Sequence, residues 1–220
     1  MFLKYSIRIK FAKKGRAKYI SHLDLLRCIQ RAVRRIKLPI AYSNGFHPHM
    51  QIVFIAALSL GFESETEIVE IQLTEQLDLQ DIYNLMKSTM PEGLEILDVY
   101  YPVNKLNELG FADYSVFINS ENPDLLLNQW KEFLLKPEII VEKKSKRSVK
   151  IVDILPQIIC IDAIIKNNRL NLILRLPTSN SGSLNPTLVI ETFFNYNEII
   201  ERNSAICRMK FLTIEKKEFF

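Results

Sequence analysis

Residues 4–39 read KYSIRIKFAKKGRAKYISHLDLLRCIQRAVRRIKLP, and two different periods meet inside this stretch. Over residues 4–11 apolar and polar side chains alternate at every second position, as they do in a strand with one buried face. From Ser21 the period changes. Leu25, Leu26, Ile29, Ala32, Val33 and Ile36 recur at the three-and-four spacing that lines one side of a helix. Ser21 and Asp24 stand in the relation of a capping box, so a helix is expected to open there, run to about Lys37 and stop at Pro39. A half-buried strand handed to an amphipathic helix needs further strands to cover, and this sets the search for the rest of the fold.

Working outward, a short strand is expected near Ile40–Tyr42, then a turn at Ser43-Asn44-Gly45. Gln51–Leu60 and Glu67–Leu73 follow as strands with Gly61 between them. Asp78–Met90 reads as a second helix closed by Pro91, and Leu94–Tyr101 as a last strand. The order is βαββαβ, the split-βαβ or ferredoxin-like arrangement. The second half repeats it loosely. Tyr114–Ile118 is a strand, and Asn122-Pro123 starts a helix to about Leu135. Glu138–Val141 begins another strand, and Ile158–Ile165 and Arg169–Leu176 form a hairpin about Asn167-Asn168. A Ser/Asn/Gly loop over Thr178–Asn185 leads to a helix from Pro186 to about Asn195, and Arg208–Ile214 closes as a strand. The polar stretch Lys143–Lys150 has no counterpart and is expected to be an inserted strand or loop. The prediction is an α+β protein of two tandem ferredoxin-like domains with antiparallel sheets. Residues 1–105 would form the N-terminal one with the basic helix. Residues 112–220 would form the C-terminal one with the basic insertion.

Charge is segregated along the chain. Residues 1–50 hold twelve Lys or Arg against Asp24 alone, residues 51–142 hold four against seventeen acids, and residues 143–220 hold thirteen against seven. The formal net charge of +4 hides this pattern, which bears on partners rather than fold. It fits either a shared basic face or docking of opposite charges within the molecule. No apolar run reaches the roughly 18 residues a membrane span needs, and the alternating N-terminus is unlike a signal peptide. Cys28, Cys160 and Cys207 lie far apart without a C-x-x-C pair, as expected of reduced, buried thiols in a cytoplasmic protein.

On the helix, Arg27, Arg31, Arg34 and Arg35 fall on the side opposite the apolar stripe, with Asp24 as the one nearby acid. Lys13, Lys14, Arg16 and Lys18 precede it and would enlarge the patch. Arginine suits bidentate phosphate contact and base stacking, so an RNA or similar polyanion is the expected partner. The same charges also fit a solvated helix face, or pairing with Glu63, Glu65, Glu67 and Glu70. After the helix, Tyr42, Ser43, Phe46 and His49 add stacking faces and phosphate donors, against the plainer alternative of a core Phe46 and ordinary turn residues. His22, His47 and His49 are candidates for acid–base chemistry in metal-independent RNA cleavage. No nucleotide-binding glycine loop, nucleophile elbow or cysteine–histidine dyad is present. No catalytic residue, metal site or cofactor is therefore assigned.

Tyr19-Ile-Ser-His-Leu-Asp-Leu25, Arg27, Arg34-Arg35, Leu38-Pro39, Ala41-Tyr-Ser-Asn-Gly-Phe46 and Pro48-His49 together resemble the signature of the radical-SAM-linked protein family. Leu60-Gly61 and Glu63-Ser64-Glu65 agree with it, while Met50 and Ala57 stand where proline is expected. That family is a domain of unknown function fused to, or encoded beside, a radical-SAM protein. The resemblance implies such a protein as partner. The chain has no three-cysteine cluster motif of its own, so that chemistry would belong to another polypeptide. More distantly, the tandem arrangement is similar to the RAMP-type proteins that bind CRISPR RNA. The expected function is RNA binding, of tRNA or rRNA, as an accessory to a radical-SAM modification enzyme. The alternatives are a protein-docking subunit of that enzyme without RNA contact, and the histidine-based RNA endonuclease.

Overall fold

The computed structural model describes residues 4–144, 149–179, 182–200 and 202–220. The chain forms two compact units, one running to Glu108 and including Glu218–Phe220, the other spanning Leu109–Lys217.

In the first unit the elements are β1 (Tyr5–Lys13), a 3-10 helix (Gly15–Tyr19), α1 (His22–Arg35), β2 (Ile52–Phe54), β3 (Glu63–Leu73), α2 (Leu79–Thr89) and β4 (Leu94–Tyr100), with a further 3-10 helix at Leu106–Glu108. Their sheet order is β2-β3-β1-β4, every pair antiparallel, with Ile9 opposite Val69 on one side and Val99 on the other. Ile7, Ile9 and Phe11 on β1, with Val69 and Ile71 on β3, meet Leu25, Ile29 and Val33 of α1 and Ile82 and Met86 of α2. Each such side chain contributes about 1.5–3 kcal/mol by leaving water, so this face fixes the position of α1. The helix starts where the capping pattern requires: Ser21 Oγ accepts from the Asp24 N–H at 3.1 Å.

The residues between those apolar positions point to the other side of the sheet. Arg8 lies there, 1% exposed. Its Nε and one terminal nitrogen both donate to Glu70 Oε2 at 3.0 Å, and the other terminal nitrogen donates to the Phe220 carbonyl at 2.6 Å. The guanidinium also sits 4.8 Å from the centre of the buried Phe219 ring. Tyr100 meets Phe220 edge-on, and burial pushes its phenol up to about 12 while Arg8 pulls the other way.

The second unit runs β5 (Leu109–Asn119), α3 (Pro123–Leu134), β6 (Ile140–Lys144), β7 (Val149–Asp153), β8 (Ile159–Lys166), β9 (Arg169–Ser179), β10 (Gly182–Ser183), α4 (Pro186–Tyr196) and β11 (Ser204–Thr213). Its main sheet has the order β8-β9-β5-β11, again antiparallel, with β10 paired to the end of β9. Leu170, Leu172, Leu174 and Leu176 face the helices at every second residue and are fully buried. Trp130, Phe133 and Phe193 form an aromatic cluster with ring centres 5.1–5.6 Å apart. Asn167 and Asn168 both take positive φ, as the two-residue hairpin between β8 and β9 requires.

Several expectations need correction. The strand expected at Gln51–Leu60 pairs only over Ile52–Phe54. Beyond it Ile55 and Leu58 are buried in non-strand backbone, a distinction an apolar run does not reveal. Ile40–Tyr42 makes only isolated bridges, Ile40 to Leu73 and Tyr42 to Met50. The strand expected at Glu138–Val141 is the first arm of a two-stranded hairpin, β6–β7, separate from the main sheet. Of the insertion expected at Lys143–Lys150, residues 145–148 lie outside the described residues. Thr178 and Ser179 belong to β9 rather than to a loop. The three thiols are half-buried rather than buried, and none is in a disulfide.

Candidate nucleic-acid interface

With its apolar stripe fixed on the sheet, α1 turns Arg27, Arg31, Arg34 and Arg35 to solvent, all four exposed. Arg27 pairs with Asp24 at 2.9 Å. The Ser21 hydroxyl and then Arg27 hold the Asp24 carboxyl below the usual carboxylate range. Arg31, Arg34 and Arg35 make no ion pair among the described residues. The acids named as their alternative partners are engaged elsewhere: Glu63 with Lys18 and Glu65 with Lys14, each at 4.0 Å, and Glu70 with Arg8. Glu67 is buried and acts on Lys13. The helix stripe therefore keeps its positive field.

The basic turn before α1 is held from several directions. The Lys14 N–H donates to the Gly93 carbonyl at 2.8 Å, the Gly61 N–H to the Lys18 carbonyl at 2.9 Å, and the Gly15 N–H to Glu63 Oε1 at 3.1 Å. Lys13 is the exception to the expected anion contacts. It is buried, and its Nζ donates to the Lys18 and Ile20 carbonyls at 3.3 and 3.1 Å. Burial lowers its pKa against the pull of Glu67. Lys13 shapes the turn and does not reach a phosphate. Lys14 and Arg16 are exposed, and Lys18 is half-buried.

Gly93 sits under this turn at φ +83, and a Cβ there would lie 2.7 Å from the Lys14 carbonyl oxygen and 2.9 Å from the Ala17 Cβ. Gly93→Ala is expected to cost more than about 1 kcal/mol, since both the left-handed backbone and the clash oppose it. A urea midpoint equal to that of the parent protein would show that the turn yields freely.

The segment after α1 closes into a small loop. Tyr42 bridges to Met50, and the Ser43 N–H donates to the His49 carbonyl at 2.9 Å. Ser43 Oγ meets His49 Nδ1 at 2.8 Å and accepts from the His49 N–H at 3.1 Å. Gly45, at φ +117, lets the tip turn. Phe46 stands at that tip fully exposed, at 102%, so the core alternative for it is excluded. Tyr42, His47 and His49 are exposed as well, and Ser43 is half-buried. His22 is exposed at the first turn of α1 with its ring 4.9 Å from that of Phe54. Among the described residues no group of three or more His, Cys, Asp or Glu side chains is placed to hold a metal ion.

Two features went unread in the sequence. Tyr19 is 67% exposed within the basic turn, its ring 5.3 Å from the Lys18 ammonium, and the signal was an aromatic set among cations. A groove of about 330 Å³ runs along His49–Val53, Glu70 and Gln72. It depends on the register of β2 against β3, which no local pattern displays.

Fold and surface together define an α+β protein presenting an arginine-lined helix and an aromatic-tipped loop. The chain belongs to the family described as an uncharacterized protein conserved in bacteria (DUF2344), which it matches over residues 6–186, from β1 to the first residue of α4. No curated protein matches the chain. Among the described residues, no helix is long and apolar enough to cross a membrane.

Proposed function

We infer that this chain is an RNA-binding protein of the cytoplasm, serving as accessory to a radical-SAM enzyme that modifies structured RNA such as tRNA or rRNA. The observation that carries RNA binding is the exposed stripe of Arg27, Arg31, Arg34 and Arg35, three of them without an ion pair among the described residues. Four guanidinium groups on one helix face can meet successive phosphates, and three of them do so without having to break an existing pair. Lys14, Arg16 and Lys18 extend the field, and Tyr19, Tyr42 and Phe46 offer ring faces to unstacked bases. Ser43 and His49 hold the loop that carries Phe46. The enzyme partner rests on the resemblance of residues 19–49 to proteins encoded beside radical-SAM enzymes.

The finer description of the fold, two tandem ferredoxin-like units, belongs to the same proposal. Its support is that each unit sets three antiparallel strands side by side, β1 and β2 flanking β3 in the first and β5 and β8 flanking β9 in the second, where the β6–β7 hairpin intervenes between α3 and β8.

Binding of bulk tRNA across a salt series tests RNA binding. Affinity is expected to fall steeply, by about three- to fourfold for each phosphate contact between 50 and 200 mM salt. Absence of binding at low salt, with a stoichiometric protein partner retained after nuclease treatment, would replace RNA binding with protein docking.

A further inference from the structure

The loop that carries Phe46 also forms one wall of the groove along His49–Val53, Glu70 and Gln72. We propose that this groove takes one unpaired nucleobase bearing an exocyclic amino group, with Phe46 stacking on the same strand; this deepens the RNA-binding function proposed above and rests on it.

The volume of about 330 Å³ lies at the small end of ligand sites, which suits a single base rather than a nucleotide with its phosphate. Val53, exposed on β2 opposite Glu70, supplies apolar surface for the flat face of a ring, while Met50 and Ile52 border the groove with their side chains turned into the helix-side core. The polar groups are mostly acceptors. Glu70 Oε2 is taken by Arg8, but Oε1 has only the Gln72 amide at 3.4 Å. The Gln72 nitrogen donates to Ser6 Oγ at 3.0 Å and to that Oε1, so its carbonyl oxygen is the group left for a ligand. Gln51 Oε1 accepts from Lys4 at 2.9 Å, which leaves its amide N–H groups to donate. His49 is held through Nδ1 by Ser43, which leaves Nε2 as its contact.

Two neighbouring acceptors select a ligand with donors. Adenine, cytosine and guanine each carry an exocyclic amino group, while uracil sets two carbonyls around one N–H and meets the acceptors unfavourably. A phosphate is excluded from the same place by the Glu70 carboxylate. A cationic peptide side chain gains little, because Arg8 already matches that charge. A neutral base edge is what remains.

Fluorescence anisotropy with labelled oligo-A, oligo-C, oligo-U and a blunt RNA duplex separates the possibilities. Oligo-A and oligo-C are expected to bind about tenfold or more tighter than oligo-U or duplex. Val53→Trp, filling the groove from an exposed strand position, should bring oligo-A down to the oligo-U level, while Phe46→Ala, on an exposed tip, should weaken oligo-A and oligo-U alike. Residual, salt-sensitive binding should persist in both. Equal affinities for all the RNAs, a Val53→Trp variant that keeps the preference, or a Phe46→Ala variant that binds as tightly as the parent would overturn the base site while leaving phosphate binding standing. No binding of any RNA at low salt would remove both.

Discussion

RNA affinity is expected to fall by roughly a hundredfold or more when Arg27, Arg31, Arg34 and Arg35 are replaced together by glutamine, and the slope of log affinity against log salt to drop by about three to four. Each arginine that neutralises a phosphate releases counterions, so losing the contact lowers both the affinity and its dependence on salt. The variant should remain folded. Glutamine is nearly as good a helix former as arginine, and the Arg27–Asp24 pair is exposed to solvent on both sides, so its loss costs the fold little. Titrations of labelled tRNA at several salt concentrations, with circular dichroism to confirm the helix, provide the check. A slope equal to that of the parent protein would mean that phosphates are met elsewhere on the surface.

Arg8→Ala acts on stability instead, and a loss of about 3 kcal/mol is expected in urea unfolding. Removal of the guanidinium strands the Glu70 carboxylate and the Phe220 carbonyl without their donor, and takes away the cation above Phe219. The figure is set at the low end for a broken buried pair because Glu70 retains 16% exposure and some solvation. Arg8→Lys separates charge from geometry. It keeps the cation but cannot reach Glu70, the carbonyl and the ring at once, so it should recover only part of the loss. An alanine variant with an unchanged midpoint would show that Arg8 contributes nothing net to the fold.

The pattern of legible and hidden features follows from the range of the interactions involved. The α+β class was readable because period two and period 3.6 alternate along the chain. α1 was readable to within two residues because Ser21, Asp24 and Pro39 mark its ends locally. Local turn chemistry also announced the Asn167-Asn168 hairpin and the helix start at Asn122-Pro123. Interactions between distant residues were not legible. Arg8 sits in an alternating run that reads as a solvated strand face, yet residues more than two hundred positions later cover it. Lys13 looked identical to Lys14 in sequence, yet Lys13, the last residue of β1, turns inward while Lys14, just past the strand, is exposed. For the candidate site the charges were visible from composition. What neutralises them was not, since it depends on which β3 carboxylates face which cations once the strands are in register.

The anchoring of the turn over residues 14–20 has a consequence for timing. Gly93, Gly61, Glu63 and Lys13 fix its backbone in the free protein, so a polyanion that arrives meets a finished surface. Little chain entropy remains to be lost on contact, and no ordering step delays capture. Encounter should then be governed by the long-range attraction between the cationic face and its target, so that added salt slows arrival more than it hastens departure. A surface of this kind acts as a fast first point of capture and leaves slower discrimination to groups that must fit a particular shape.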